Sequence, residues 1–256
     1  MKPGLWMRPL CAPVKAKKTL LLNHPGRKPE REIFRDPTIL ENRAYIDKCF
    51  QTYHEWGYEF VKHDFTTYDI FGRWGFEMLE NGMTLDDWQF YDKTLTNAEV
   101  VLNLYRDIRK AAGSIVLLGC NTFSHLSAGI FEVQRIGDDT SGKEWARTLK
   151  MGVNTLAFRG AHHNTFYAAD ADCIGLTKDI PWKLNAEWME LVAMSGTPLF
   201  ISANPEAVGT EQKNLIKKCF AYAAKELPVG EPLDWFNTLT PHKWILNNKE
   251  YNFKWK

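Results

Sequence analysis

Two short constellations could do chemistry. In "YEFVKHDF" Lys62 stands two residues before Asp64, and in "VQRIGDD" Arg135 stands four before Asp139. Successive side chains of a strand point to opposite faces, so Tyr58, Phe60, Lys62 and Asp64 share one side, and Glu59, Val61, His63 and Phe65 the other. If the second strand runs far enough, Val133, Arg135, Gly137 and Asp139 share a face in the same way. Each carboxylate then ends its own strand with a cation upstream. A lone buried ion costs several kcal/mol, so each pair reads as a structural ion pair or as a catalytic carboxylate with an adjacent cation favouring its anionic form. Two carboxylates are the minimum equipment for glycoside hydrolysis: one attacks or activates water, the other protonates the leaving oxygen. Retaining enzymes hold them roughly 5–5.5 Å apart and inverting ones about 6.5–9.5 Å.

Positioning them requires strands that end at a common edge. Apolar, strand-like runs occur at 4–10, 58–65, 114–121, 131–139, 153–160 and 197–205. Helical patterns lie between several of them. The segment 37–55 is expected to be a helix with Asp36 as N-cap and Pro37 in the first turn, and 95–112 one that ends at Gly113. Two more are expected at 184–195 and 210–226. Alternation of this kind implies parallel βαβ units, and Arg8, Asp64, Asn121, Asp139 and Asn204 place polar groups at strand C-terminal ends, where barrel enzymes carry their chemistry. No glycine-rich phosphate turn follows the first strand, as a doubly wound sheet would usually show. The expected fold is α/β, a (β/α)8 TIM barrel in residues 1–227 that is incomplete, with the third to eighth strands present. Residues 228–256, with alternating aromatics, are expected to start a C-terminal β-rich module. The polar loop 21–36 is long enough to cover a site.

Composition narrows the partners. With 32 basic and 31 acidic residues among 256, the chain has no electrostatic footprint for nucleic acid or an anionic membrane. Ten tryptophans, nine tyrosines and fifteen phenylalanines supply faces that stack on sugar rings as well as filling cores. The five cysteines, Cys11, Cys49, Cys120, Cys173 and Cys219, are widely spaced without a CxxC pair and are expected to be free thiols. No apolar stretch reaches membrane-spanning length, and the opening residues have too short an apolar run for a signal peptide; the compartment is not legible.

Five segments in order, "KPGLW", "FVKHDF", Gly119–Cys120, "RIGDDTSGKEW" and "HHNTFYAADADC", resemble the barrel of glycoside hydrolase family 36, the microbial α-galactosidases, and more loosely family 27 of the same clan. The resemblance covers about residues 3–175. It implies a retaining mechanism on terminal α-galactosides of an oligosaccharide or glycoconjugate, with no cofactor and no metal. Asp64 matches the nucleophile and Asp139 the acid/base. Lys62 would hydrogen-bond sugar hydroxyls and keep Asp64 ionised, Arg135 would bind the hydroxyl beside the anomeric carbon, Trp6 matches a pocket tryptophan, and Cys120 falls where the family sets a cysteine against the sugar. The family's first two strands, with an acidic pair for the far hydroxyls, have no counterpart in the sequence. Alternatives are therefore a raffinose-synthase-like α-galactosyl transfer and a non-catalytic galactoside-binding remnant. Open barrel edges would invite pairing with another chain, a homo-oligomer included.

Other residues receive plainer expectations. Asp138 falls on the parity opposite Asp139. His162 and His163, neighbours in an extended segment, diverge and do not make a metal site. Asp170 and Asp172 match the family's N-D-P-D-C stretch, with alanine in place of its asparagine and proline, and are expected to hold loop geometry. Trp74, Trp88 and Trp182 are subsite walls or packing anchors, Asp69 and Arg73 loop polar groups, and Asn121 and His125 candidates for sugar selection.

Overall fold

The computed structural model describes residues 2–22, 33–72 and 89–256. Trp74, Trp88, Arg73 and most of the loop 21–36 lie outside the described residues. The chain divides into two compact units, Met1–Gln134 and Arg135–Lys256.

The N-terminal unit is built on parallel strands. β1 (Gly4–Met7) pairs with β4 (Phe60–His63), which pairs with β5 (Val116–Gly119); Trp6 lies opposite Lys62, and Lys62 opposite Leu118. Two short strands, β2 (Cys11–Ala12) and β3 (Ile33–Phe34), form an antiparallel ribbon beside them. Val133 and Gln134, at the start of β6 (Val133–Arg135), continue the parallel pairing against Leu118 and Gly119. Between the strands run α1 (Leu40–Glu55), the short α2 (Thr66–Phe71) and α3 (Asn97–Ala112). Val100, Val101, Leu104, Tyr105 and Ile108 recur at helical spacing along α3 and bury one stripe against Val61, Leu117 and the Ile46 and Phe50 of α1. Each such side chain contributes about 1.5–3 kcal/mol on burial.

Helix ends follow local chemistry. Thr96 accepts from the Glu99 N–H at 3.3 Å while Glu99 accepts from the Thr96 N–H at 2.8 Å, a complete capping box, and Gly113 closes the helix at φ +54°. The start expected for α1 at Asp36 and Pro37 is not used. The Asp36 carboxylate instead accepts from the N–H and hydroxyl of Thr38 and from the Tyr91 N–H at 2.6–2.8 Å, which stabilises a turn and delays the helix to Leu40.

In the C-terminal unit the expected strand at 153–160 is helical. A helical run of Trp145–Thr148 (α4), a π-turn at Leu149–Val153 and Asn154–Arg159 (α5) buries Val153, Leu156 and Ala157 at i, i+3, i+4 spacing, and Gly152 lets this run approach the Trp188 ring. Strand structure comes later, as β7 (Ala168–Asp170) and β8 (Cys173–Leu176). β8 pairs in parallel with β9 (Phe200–Ala203), and α6 (Trp182–Met194) connects the two as a βαβ unit; α7 (Thr210–Ala223) follows. The last strands, Glu231–Pro232, Lys243–Leu246 and Lys249–Asn252, form an antiparallel sheet (β10 to β12). Asn247 and Asn248, both at positive φ, make the tight turn that right-handed strand twist favours in a two-residue hairpin. Among the described residues no helix is long and apolar enough to cross a membrane.

Candidate active site

Asp64 follows the last residue of β4. Its N–H donates to the Met7 carbonyl at 3.0 Å, so the backbone pairing of β1 with β4 extends one residue and fixes where the carboxylate emerges. The side chain is 8 % exposed. Its Oδ2 accepts from the Trp6 indole Nε1–H at 2.9 Å and lies 3.9 Å from Lys62 Nζ, and its Oδ1 accepts from the Phe65 N–H at 2.7 Å. Trp6 itself is half exposed and stacks edge-on against Phe65 at 6.2 Å. Lys62 and Asp64 therefore do stand on one side of the strand. His63 points the other way, into the core. Cys120, at the end of β5, is buried and tied in through its N–H to the His63 carbonyl. Asn121 adopts φ +50°, accepts from the Thr67 and Tyr68 N–H groups, and so fastens the start of α2 to the end of β5.

Arg135 and Asp139 form the second constellation, in the C-terminal unit. β6 stops at Arg135, so strand parity does not separate Asp138 from Asp139; the turn beyond it does. The Asp139 N–H donates to Asp138 Oδ1, Asp138 binds Arg147, and Asp139 Oδ1 accepts from Arg135 NH1 at 3.1 Å. The Asp139 side chain is 70 % exposed. Asp170 and Asp172 are buried and complete the coordination of Arg135: Nε donates to Asp170 Oδ2 at 3.2 Å, and NH2 pairs with Asp172. Burial pushes the Asp170 carboxyl above its ordinary range, and the adjacent guanidinium opposes that shift. Asp172 also accepts from the N–H and hydroxyl of Thr140, next to Asp139, at 2.7 and 3.0 Å. One guanidinium thus serves three carboxylates, Asp139 from the turn after β6 and Asp170 and Asp172 from the end of β7 and just beyond it.

No protein-family model and no curated protein matches the sequence. Among solved structures, an α-galactosidase from Thermus thermophilus in complex with p-nitrophenyl α-D-galactopyranoside aligns with 98 % of this chain and 52 % of its own, at 16 % identity and a TM-score of 0.67. A family 27 β-L-arabinopyranosidase from Geobacillus stearothermophilus aligns over 90 % of this chain and 55 % of its own (16 % identity, TM-score 0.64), and an isomalto-dextranase from Arthrobacter globiformis in complex with panose over 93 % and 46 % (15 % identity, TM-score 0.62). The likeness is one of fold. The chain has the architecture of about half of these (β/α)8 glycosidases, and its parallel strands fit a partial barrel with β strands at the C-terminus.

Several positions differ from what the sequence led one to expect. Asp69 is not a loop polar group: it sits within α2, fully buried, and receives a forked set of hydrogen bonds from Arg8 at 2.7–3.1 Å. Its carboxylate can be buried because Arg8 closes over it. His162 ends a 3-10 turn rather than lying in an extended segment; its Nδ1 meets the Tyr167 hydroxyl at 3.1 Å, while His163 accepts from the Ala169 N–H at 3.0 Å. Trp182 opens α6 and donates to Glu211, an anchoring role. His125 is exposed next to Phe123. The participation of Asp170 and Asp172 in the Arg135 cluster was signalled only by four aspartates and one arginine in the two resembling segments.

Proposed function

We propose that this chain carries the catalytic pair of a retaining glycosidase acting on terminal α-galactosides, of the kind found in families 36 and 27. The observation that carries the proposal is the setting of Asp64: a nearly buried carboxylate at the C-terminal end of a parallel strand, with an indole N–H on one oxygen, a backbone N–H on the other and an ammonium nearby. The fold of the solved glycosidases supports it.

In this reading Asp64 attacks the anomeric carbon as the bond to the aglycone oxygen breaks, leaving a β-linked glycosyl ester. Asp139 gives its proton to that departing oxygen. In the second half Asp139 takes a proton from water, whose oxygen displaces Asp64 and restores the free carboxylate. Lys62 and Trp6 hold Asp64 and the sugar hydroxyls near it, Cys120 stands at the neighbouring strand end, and Arg135 orients Asp139 and the hydroxyl beside the anomeric carbon. Substrate is an α-galactoside oligosaccharide or glycoconjugate.

The deciding experiment is release of 4-nitrophenol from its α-galactoside by the full-length protein, with the β-L-arabinopyranoside and the α-glucoside in parallel. Hydrolysis of the galactoside that is lost in Asp64→Gly, with a β-galactosyl azide formed when azide is added, is the expected result. Absence of turnover on all three sugars would overturn the reading.

A further inference from the structure

The residue after the proposed nucleophile is held in an unusual backbone state. Phe65 has φ +67° and ψ +5°, a left-handed conformation that L-residues with a bulky side chain rarely adopt and that costs on the order of 1–3 kcal/mol. Its N–H, which lies in the peptide plane shared with Asp64, donates to Asp64 Oδ1 at 2.7 Å, and the left-handed turn lets α2 begin directly after that peptide.

Arg8 and Asp69 both bear on Phe65. The Arg8 guanidinium lies over the Phe65 ring at 4.4 Å from its centroid, a cation–π stack. The same guanidinium grips Asp69 through Nε and NH2, with Asp69 fully buried. Asp69 in turn donates its N–H to the Phe65 carbonyl at 2.8 Å. The ion pair thus grips the Phe65 ring through Arg8, the Asp69 N–H takes its carbonyl in the first turn of α2, and its remaining polar group points at Asp64. Arg8 comes from the end of β1, the strand that also supplies Trp6 to the other oxygen of Asp64.

We propose that the Arg8–Asp69 pair is a positioning device that clamps Phe65, and with it the peptide N–H that Asp64 accepts from, and thereby aims the Asp64 carboxylate at the anomeric carbon. It rests on the reading of Asp64 as nucleophile. A pair that merely tied β1 to α2 would support every activity of the fold equally; a positioning pair matters only while Asp64 is the attacking group.

That difference sets the test. In the full-length protein, Arg8→Met and the isosteric Asp69→Asn are made both in the native background and in Asp64→Gly, where azide replaces the carboxylate as nucleophile and the new C–N bond forms as 4-nitrophenolate leaves. The expected result is a drop in kcat of about tenfold to a hundredfold in the native background, the scale of a nucleophile misplaced by about 1 Å, with KM changed by less than about twofold. Azide-rescued turnover should change by less than about twofold on adding either variant. Arg8→Lys, which keeps the charge but not the planar fork, should behave as Arg8→Met. An equal loss in both backgrounds, from misfolding or from a general structural role, overturns the proposal, as does native kcat in Arg8→Met and Asp69→Asn. If Asp64→Gly alone is not rescued by azide, the nucleophile assignment fails first, and the positioning role falls with it.

Discussion

The Trp6 indole donates to Asp64 Oδ2 at 2.9 Å from the neighbouring parallel strand, directly opposite Lys62 in register. The contact links a half-exposed ring to the nearly buried carboxylate proposed to attack the sugar. Trp6→Phe keeps an aromatic face and removes only the donor. A hydrogen bond to a charged group contributes about 1.5–3 kcal/mol, so kcat on the 4-nitrophenyl α-galactoside should fall by roughly tenfold to a hundredfold. A rise in KM with unchanged kcat would instead assign Trp6 to sugar stacking alone.

Asp139 is expected to reveal its role through the leaving group. Asp139→Ala should depress hydrolysis of a disaccharide α-galactoside far more than release of 4-nitrophenol, which needs no proton to depart, and the gap should be at least about tenfold. Equal losses on the two substrates would remove Asp139 from the acid role and leave Asp138, its neighbour in the same turn, to be examined by the same comparison.

Removing Arg135 leaves Asp170 and Asp172 buried beside one another. Arg135→Met should therefore destabilise the protein by about 3–5 kcal/mol in urea unfolding. Asp170 is already raised by burial, with Arg135 opposing, so its folded-state affinity for a proton should increase further in the variant. A carboxyl raised on folding contributes stability below its unfolded pKa and loses it as pH rises, so the deficit should be smallest near pH 4 and grow toward neutrality. A pH-independent deficit would show that packing, not charge, dominates the cluster.

The loop carrying Asp139 is seated on β8 by backbone contact. A methyl group added at Gly175 would lie 2.5 Å from the Gly142 Cα, and Gly142 itself stands at φ +67° with its carbonyl accepting from the Thr177 hydroxyl. Gly175→Ala is expected to cost about 1–3 kcal/mol by forcing the loop outward, and to lower kcat through Asp139. Thermal unfolding and kinetics on the same preparation would check it, and native values for both would mean that the loop yields without consequence.

His63 provides a pH signature for the N-terminal unit. It is fully buried between Tyr105 and Phe131, neither ring nitrogen has a hydrogen-bond partner among the described residues, and burial lowers its pKa to about 3. The folded state therefore holds the neutral ring while the unfolded chain protonates near pH 6.5. Stability is full above that value and declines as pH falls toward 3, by an amount on the order of 4 kcal/mol. His63→Leu should flatten this decline and raise the melting temperature more at pH 5 than at pH 8; parallel pH profiles for variant and native protein would refute it.

What the sequence determined by itself was local and periodic. The alternation around Lys62 and Asp64 is dictated by strand geometry, and the helix that ends at Gly113 follows from apolar spacing and its C-cap glycine, so both were legible without a fold. So were the parallel βαβ rhythm and the ordered segments that resemble a glycosidase barrel. The misreadings came where tertiary partners outweighed local preference. Apolar residues 153–160 looked like a strand, yet the packing of Val153, Leu156 and Ala157 within the C-terminal core favoured a helix. Asp36 looked like an N-cap, but Thr38 and the distant Tyr91 N–H each took one of its carboxylate oxygens. Asp69 looked like a loop group because Arg8, which neutralises it, lies 61 residues away. The left-handed Phe65 was invisible for the same reason: an unfavourable backbone state is held only by contacts that exist once the strands and α2 have come together.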